Sequence, residues 1–128
     1  MKIDRLDHLV LTVRDMNATI EFYQRALGMT PVTFGEGRKA LAFGQSKINL
    51  HPADTPIAPH AAHPMPGSAD LCLVSTEAIE SVRAHFQQCG VPIEQGPVQR
   101  TGALGPITSL YIRDPDGNLI EVATYATL

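Results

Sequence analysis

The chain predicts an α+β fold made of two βαβββ modules, and three observations carry that prediction. Two stretches of helical period end at Gly28 and Gly90, where a left-handed glycine closes a helix most easily. Each stretch follows one apolar segment of period two and precedes three more. Between the two sets lies a proline-rich run.

Residues 5–13 form the first predicted strand, with Leu9, Leu11 and Val13 in one phase and His8, Val10 and Thr12 in the other. Asp15 or Asn17 caps the first helix, whose apolar stripe is Met16, Ile20, Tyr23 and Leu27. Strands follow at 30–34 and 39–43 across Gly35-Glu36-Gly37, and Gly44-Gln45-Ser46 turns the chain into a strand at 47–51. There Ile48 and Leu50 share a face, and Lys47, Asn49 and His51 share the other.

Five prolines and no sustained period mark residues 52–67 as a linker. Module one therefore spans about 1–51 and module two about 68–128. In the second module a strand at 69–74 has Leu71 and Leu73 in one phase and Asp70, Cys72 and Val74 in the other. Ser75 or Thr76 caps a helix carrying Ile79, Val82 and Phe86. Strands at 93–98, 108–113 and 119–125 complete the set. The last two are joined by Asp114-Pro115-Asp116-Gly117-Asn118, where Pro115 pre-sets one dihedral and Gly117 and Asn118 tolerate positive φ. Residues 99–106 read as a glycine-rich loop without the order of residues that cradles phosphates.

The 128 residues suffice for one hydrophobic core without staples. Two cysteines make no disulfide framework, and no signal-like or long apolar segment is seen, so a cytoplasmic location is expected. Ten basic residues are scattered through a chain of formal charge -3. That excludes a nucleic-acid footprint, gives no membrane anchor, and points to a small-molecule partner.

Four polar residues oppose the packed phases: His8 and Asp70 near the starts of the first strands, His51 and Glu121 on the last strands, at places expected to be equivalent. If each helix covers the apolar face of its sheet, all four project from the opposite, concave face. Imidazole and carboxylate donors suit one divalent ion per site, Zn, Ni, Co, Mn or Fe. His8, His51 and Glu121 are the expected metal ligands, Asp70 a fourth donor or a hydrogen-bond partner of a ligand, and Glu121 the candidate catalytic base. Cys72 and Asn49 share those phases and are expected to line the substrate pocket, where Arg100 could hold a carboxylate bidentately. His60, His63 and His85 read as solvated.

The stretches Asp7-His8-Leu9-Val10-Leu11-Thr12-Val13, Phe22-Tyr23-Gln24-Arg25-Ala26-Leu27-Gly28-Met29 and Asp114 through Glu121 resemble the vicinal oxygen chelate superfamily. That superfamily includes glyoxalase I, fosfomycin-modifying thiol transferases, bleomycin-binding proteins and extradiol dioxygenases. Within it, Lys39 through Gly44, Ile48-Asn49-Leu50-His51 and Gly96 through Gly102 look closest to small glyoxalase-domain proteins labelled bacterial virulence-associated. The resemblance implies paired modules whose curved mixed sheets surround a divalent metal, usually in a homodimer. His8 and Glu121 match common metal-binding positions, and His51 matches a glyoxalase I ligand position. Asp70 departs from the histidine common at its place.

The leading expectation is a metal-dependent enzyme of glyoxalase I type, acting on a small carbonyl substrate through a metal-stabilised enediolate. Alternatives are an Fe(II) dioxygenase, a thiol transferase, or a protein that sequesters a drug or metabolite without chemistry. The stiff linker further suggests a two-fold pair in which His8 and His51 come from one chain and Glu121 from the other.

Overall fold

The computed structural model describes residues 1–126. Two compact units, Met1–Ser68 and Ala69–Leu128, divide the chain. Each contains one helix and one four-stranded mixed sheet.

In the first unit β1 (His8–Val13), α1 (Met16–Leu27), β2 (Thr30–Phe34), β3 (Arg38–Phe43) and β4 (Ser46–Pro52) form a sheet of order β1-β4-β3-β2. The β1–β4 pair is parallel and the others antiparallel. Parallel neighbours need a crossover connection, and α1 lies within it. Asp15 caps α1 by accepting from the Ala18 amide at 3.0 Å, and Gly28 ends it at φ 65°. Phe22, Tyr23 and Ala26 of the helix are buried, as are Leu11, Leu41, Ile48 and Leu50 of the expected helix-facing sheet surface.

The second unit repeats the plan with β5 (Asp70–Val74), α2 (Ile79–Cys89), β6 (Gln95–Gly102), β7 (Gly105–Arg113) and β8 (Leu119–Tyr125), in the order β5-β8-β7-β6. The β5–β8 pair is again the parallel one. Val82 and Phe86 of α2 are buried along with Leu110, Ile112, Ile120 and Val122.

Three local expectations are corrected. Helix α2 starts after Ala78, which gives no side-chain cap; Ser75 instead closes a small turn through its hydroxyl to the Glu77 amide. The expected loop at 99–106 is the tip of the β6–β7 hairpin, with Thr101 opposite Pro106 and Gly102 opposite Gly105. Gly102 is needed there because a Cβ would come within 2.6 Å of the Tyr125 hydroxyl, which accepts from the Leu104 amide. Asn118 does not adopt positive φ; of the turn residues only Gly117 does, at 87°.

What Asn118 does is close a buried network. Asp114 Oδ1 accepts from the Asp116 and Asn118 amides and its Oδ2 from Asn118 Nδ2 at 2.8 Å, while Asn118 Oδ1 accepts from the Ala69 amide at 2.8 Å. The turn is thus tied to the residue before β5 as well as to itself. Both side chains are nearly inaccessible, so each bond replaces water that cannot reach them.

Candidate functional site

Strand alternation and register define the face of each sheet opposite its apolar surface. In the first unit it carries His8, Val10 and Thr12 of β1, Lys47, Asn49 and His51 of β4, Arg38 and Ala40 of β3, and Phe34 of β2.

His8 is exposed, and its Nδ1 lies 2.8 Å from Asp7 Oδ2. This hydrogen bond, with smaller contributions from the charges of Arg5 and Lys47, holds the Asp7 carboxyl below the usual range. With Nδ1–H donating to Asp7, Nε2 keeps its lone pair for an electrophile.

His51 is 3 % exposed, and its Nε2 lies 3.2 Å from Arg38 Nη2. A guanidinium has no acceptor, so Nε2 must accept and the proton sits on Nδ1. Burial first, then the positive charge of Arg38 and of His60, pushes the His51 pKa down, which favours this neutral form. Both Nδ1 of His51 and Nε of Arg38 are buried donors without a partner, and Asn49 Oδ1 is a buried acceptor without one.

The register separates two residues that the sequence pattern grouped. His51 pairs with Thr12, four residues beyond His8, about 13 Å along the strand. Asn49 pairs with Val10, two residues beyond His8. In the second unit Glu121 pairs with Cys72, two residues beyond Asp70. The residue equivalent to Glu121 is therefore Asn49, and the equivalent of His51 is Ala123. The expected equivalence of His51 and Glu121 is wrong by two positions.

On the corresponding face of the second unit, Glu121 accepts from Ser109 Oγ at 2.6 Å and has Tyr111 and Cys72 as cross-strand neighbours. Burial and the adjacent Glu121 charge push the Cys72 thiol up to about 11. It is protonated near neutral pH, which suits lining and not nucleophilic attack. Neither Asp70 nor Glu121 forms an ion pair among the described residues. The nearby arginines are engaged: Arg113 with Glu94 at 3.0 Å, and Arg100 with the Tyr111 hydroxyl at 3.0 Å and the Gln99 carbonyl.

Sequence reasoning missed Arg38 and Ser109. A strand phase count could have placed both on these faces, but only cross-strand register shows what they touch. Within neither unit, among the described residues, do three His, Cys, Asp or Glu side chains converge as an ion requires. His60, His63 and His85 are exposed, and no described helix is long and apolar enough to cross a membrane.

Comparison with known proteins adds the family. Residues 5–122 match the model of the Glyoxalase/Bleomycin resistance protein/Dioxygenase superfamily. The chain is 55% identical over 125 residues to virulence protein STM3117 of Salmonella typhimurium, covering 98% of this chain and 87% of that protein. The crystal structure of that protein superposes with a TM-score of 0.97, covering 98% of this chain and 100% of the other. Glyoxalase domain-containing protein RDO1 of Mycosarcoma maydis is 53% identical, with 98% of this chain and 70% of RDO1 covered. At 20% identity the chain shares only its fold with TnmS3, an antibiotic-binding protein from Streptomyces sp. CB03234 (TM-score 0.77; 98% and 99% covered).

Proposed function

The chain belongs to the glyoxalase/bleomycin resistance protein/dioxygenase superfamily, and from that premise we propose that it is a divalent-metal-dependent enzyme of glyoxalase type acting on a small carbonyl or vicinal-oxygen substrate. The observation that carries this reading is the pair Asp70 and Glu121. They are two carboxylates on one sheet face, two register positions apart; Glu121 forms no ion pair among the described residues, and Asp70 has only the influence of the Arg113 charge, which Glu94 already pairs. Carboxylates so placed favour a cation.

The donor types suit a divalent ion. His8 offers Nε2, Asp70 and Glu121 offer carboxylate oxygens, and the unpartnered Oδ1 of Asn49 stands at the place in its own sheet that Glu121 has in the other. His51, expected as a ligand, fits less well, because an Arg38 guanidinium already occupies its Nε2 lone pair. One nitrogen and three oxygens suit harder ions such as Mn or Fe better than a two-histidine set does. When bound, the metal supplies Lewis acidity that polarises a substrate carbonyl.

The chain's own groups do the rest. Glu121 is the candidate base for a proton beside that carbonyl, held in place by Ser109 Oγ–H and by the Cys72 thiol, both of which donate to its carboxylate. Cys72, protonated, walls the pocket without competing as a nucleophile. Since His8 and Asn49 lie in one unit and Asp70 and Glu121 in the other, a complete site needs one unit of each kind. A two-fold homodimer that pairs unlike units would make two such sites.

Metal analysis of protein purified without chelator or metal resin tests the reading, followed by consumption of the hemithioacetal of a 2-oxoaldehyde and a thiol. One bound ion per chain with turnover is the expected result. No bound metal and tight binding of a drug-like ligand would replace it with a sequestering protein. Oxygen uptake with Fe(II) and an aromatic diol would replace it with a dioxygenase.

A further inference from the structure

We propose that Arg100, braced by Tyr111, holds a carboxylate of the substrate beside Glu121, so that the carbonyl compound this chain acts on is also a monocarboxylic acid. The proposal deepens the enzymatic reading above and rests on the Glu121 face being the substrate site.

Register puts Arg100 and Tyr111 on that face but not in one row. Arg100 pairs with Ile107 and Tyr111 with Glu121, four residues apart along β7. Yet Arg100 Nε donates to the Tyr111 hydroxyl at 3.0 Å, and the guanidinium carbon lies 5.5 Å from the centroid of that ring. The two rows are about 13 Å apart, so the side chains meet by leaning toward each other over the row between, that of Val98, Ser109 and Ala123. Glu121 reaches the same row, where Ser109 Oγ donates to it at 2.6 Å. An exposed arginine near a hairpin tip ordinarily extends into water. This one is folded back to where the candidate base already points.

Its bonding leaves one nitrogen and the whole charge over. Nε donates to Tyr111 and Nη1 to the Gln99 carbonyl at 3.0 Å, both neutral acceptors. Nη2 has no acceptor among the described residues. Arg113 on the same face differs, since both oxygens of Glu94 take its Nε and Nη2 at 3.0 and 3.1 Å. In a guanidinium one Nη2–H lies parallel to Nε–H. An oxygen accepting that bond sits beside the Tyr111 hydroxyl, whose own proton has no acceptor among the described residues. One anionic oxygen can thus receive from both groups, and Arg100 is exposed, so a ligand can reach it.

Charge selects the anion. A neutral oxygen would meet the hydrogen bonds and leave the guanidinium unneutralised. A phosphate dianion would bring a second negative charge toward Glu121 and Asp70, which share this face. A carboxylate carries the one charge that Arg100 balances. No ion pair joins Arg100 to Glu121, so the acid end of a substrate can lie on Arg100 while a carbon-bound proton near it faces the base.

The test is an NMR titration of the isotope-labelled full chain with pyruvate and with levulinate, each against its methyl ester. It is run on protein as purified and on protein treated with EDTA, and metal content is measured on the same samples. At least one acid should bind in both states and its ester at least about tenfold more weakly, since the charge-assisted bond is lost. Arg100→Met should weaken that acid at least about tenfold and leave metal content unchanged. Arg100→Lys should recover part of the loss, and Arg83→Ala on α2 should match the wild type.

No saturable binding of either acid, equal affinity for acid and ester, or equal affinity of the acid for Arg100→Met and wild type overturns the subsite whatever the metal content. Tighter binding of inorganic phosphate than of either acid overturns the carboxylate. Absence of metal together with Arg100-dependent binding would overturn the metalloenzyme reading and leave the subsite standing. If Arg100→Met does not fold by circular dichroism, Arg100→Gln takes its place, and wild-type affinity there overturns the proposal.

Discussion

The two units share element order, strand order and the register of the parallel pair, yet the faces opposite their apolar surfaces carry different charged groups. In the first, Arg38 and Lys47 both lie by the Phe34 ring and neither forms an ion pair among the described residues. In the second, Arg113 is paired with Glu94 and also feels Asp70, Arg100 has only neutral partners among the described residues, and Glu121 accepts from Ser109 without an ion pair among them. Topology is held by buried apolar residues that hardly differ in character between the units. Where positions on these faces are exposed, packing constrains them little, so the same scaffold can carry different charged groups in its two copies; buried members such as Asn49, His51 and Ser109 are the exceptions.

The largest effect that tests this comparison is on the cores. Phe86→Ala and Tyr23→Ala each remove a fully buried ring and should each cost about 3–5 kcal/mol in urea unfolding. A cost below about 2 kcal/mol for one alone would show that the two cores are not equivalent.

Next come the ligands. Glu121→Ala should weaken metal binding more than about 100-fold, beyond the range seen for residues that merely orient ligands. Asn49→Ala should weaken it less, because the lost donor is neutral, and His60→Ala should leave it unchanged. Competition titrations in which Asn49→Ala and His60→Ala coincide would break the equivalence of Asn49 and Glu121.

Asn118→Ala should destabilise by about 1–3 kcal/mol by removing the Asn118 bond to Asp114 and leaving the Ala69 amide without its acceptor. Chemical denaturation measures it, and wild-type stability would mean that the network contributes nothing net.

Cys72 offers a pH readout. In a Cys89→Ser background, its alkylation should rise with pH until about 11, the value to which burial and Glu121 push it. Glu121→Gln should move the curve to lower pH by removing the second of those causes. An unmoved curve would mean that burial alone sets the thiol.

The smallest effect concerns His51. Its folded pKa lies below the ordinary 6.5, so the unfolded chain takes up the proton first as pH falls. The stability linked to this group is present above pH 6.5 and lost as pH falls from there toward the folded value. Unfolding curves between pH 7.5 and about 5 should show this slope in the wild type and a shallower one in His51→Phe. Parallel slopes would mean that His51 titrates alike in both states.

The sequence made the scaffold legible because helix period, glycine terminators and strand alternation act locally. Asp15 and Gly28 show it, and so do the phases of Leu9, Leu11, Ile48 and Leu50. Ser75 misled because a hydroxyl that caps a helix and one that closes a turn look alike until the next residues' dihedrals are known. The β6–β7 tip was unreadable because Gly102 is there for the approach of Tyr125, a partner 23 positions away. His51 shows a limit of another kind. Alternation has period two, so a strand shifted by two residues presents the same face, and phase alone cannot separate Asn49 from His51 as the neighbour of His8. Arg38 lies just before the strand expected at 39–43, and only its contact with a buried imidazole marks it out.

The Asp114–Asn118 network bears on how inherited or laboratory variants of this chain should be interpreted. By joining the turn to Ala69 it fixes where β8 begins beside β5. A slip of one residue would send Glu121 to the side now held by Ile120, and bring Ile120 to the side where Glu121 now stands. Loss of metal or turnover after a change at Asp114 or Asn118 would then imitate damage to the chemical groups themselves, although neither residue touches them. Such variants could be told apart by a second change that restores the turn: a compensating substitution should recover function with Glu121 untouched, which no true ligand mutant permits.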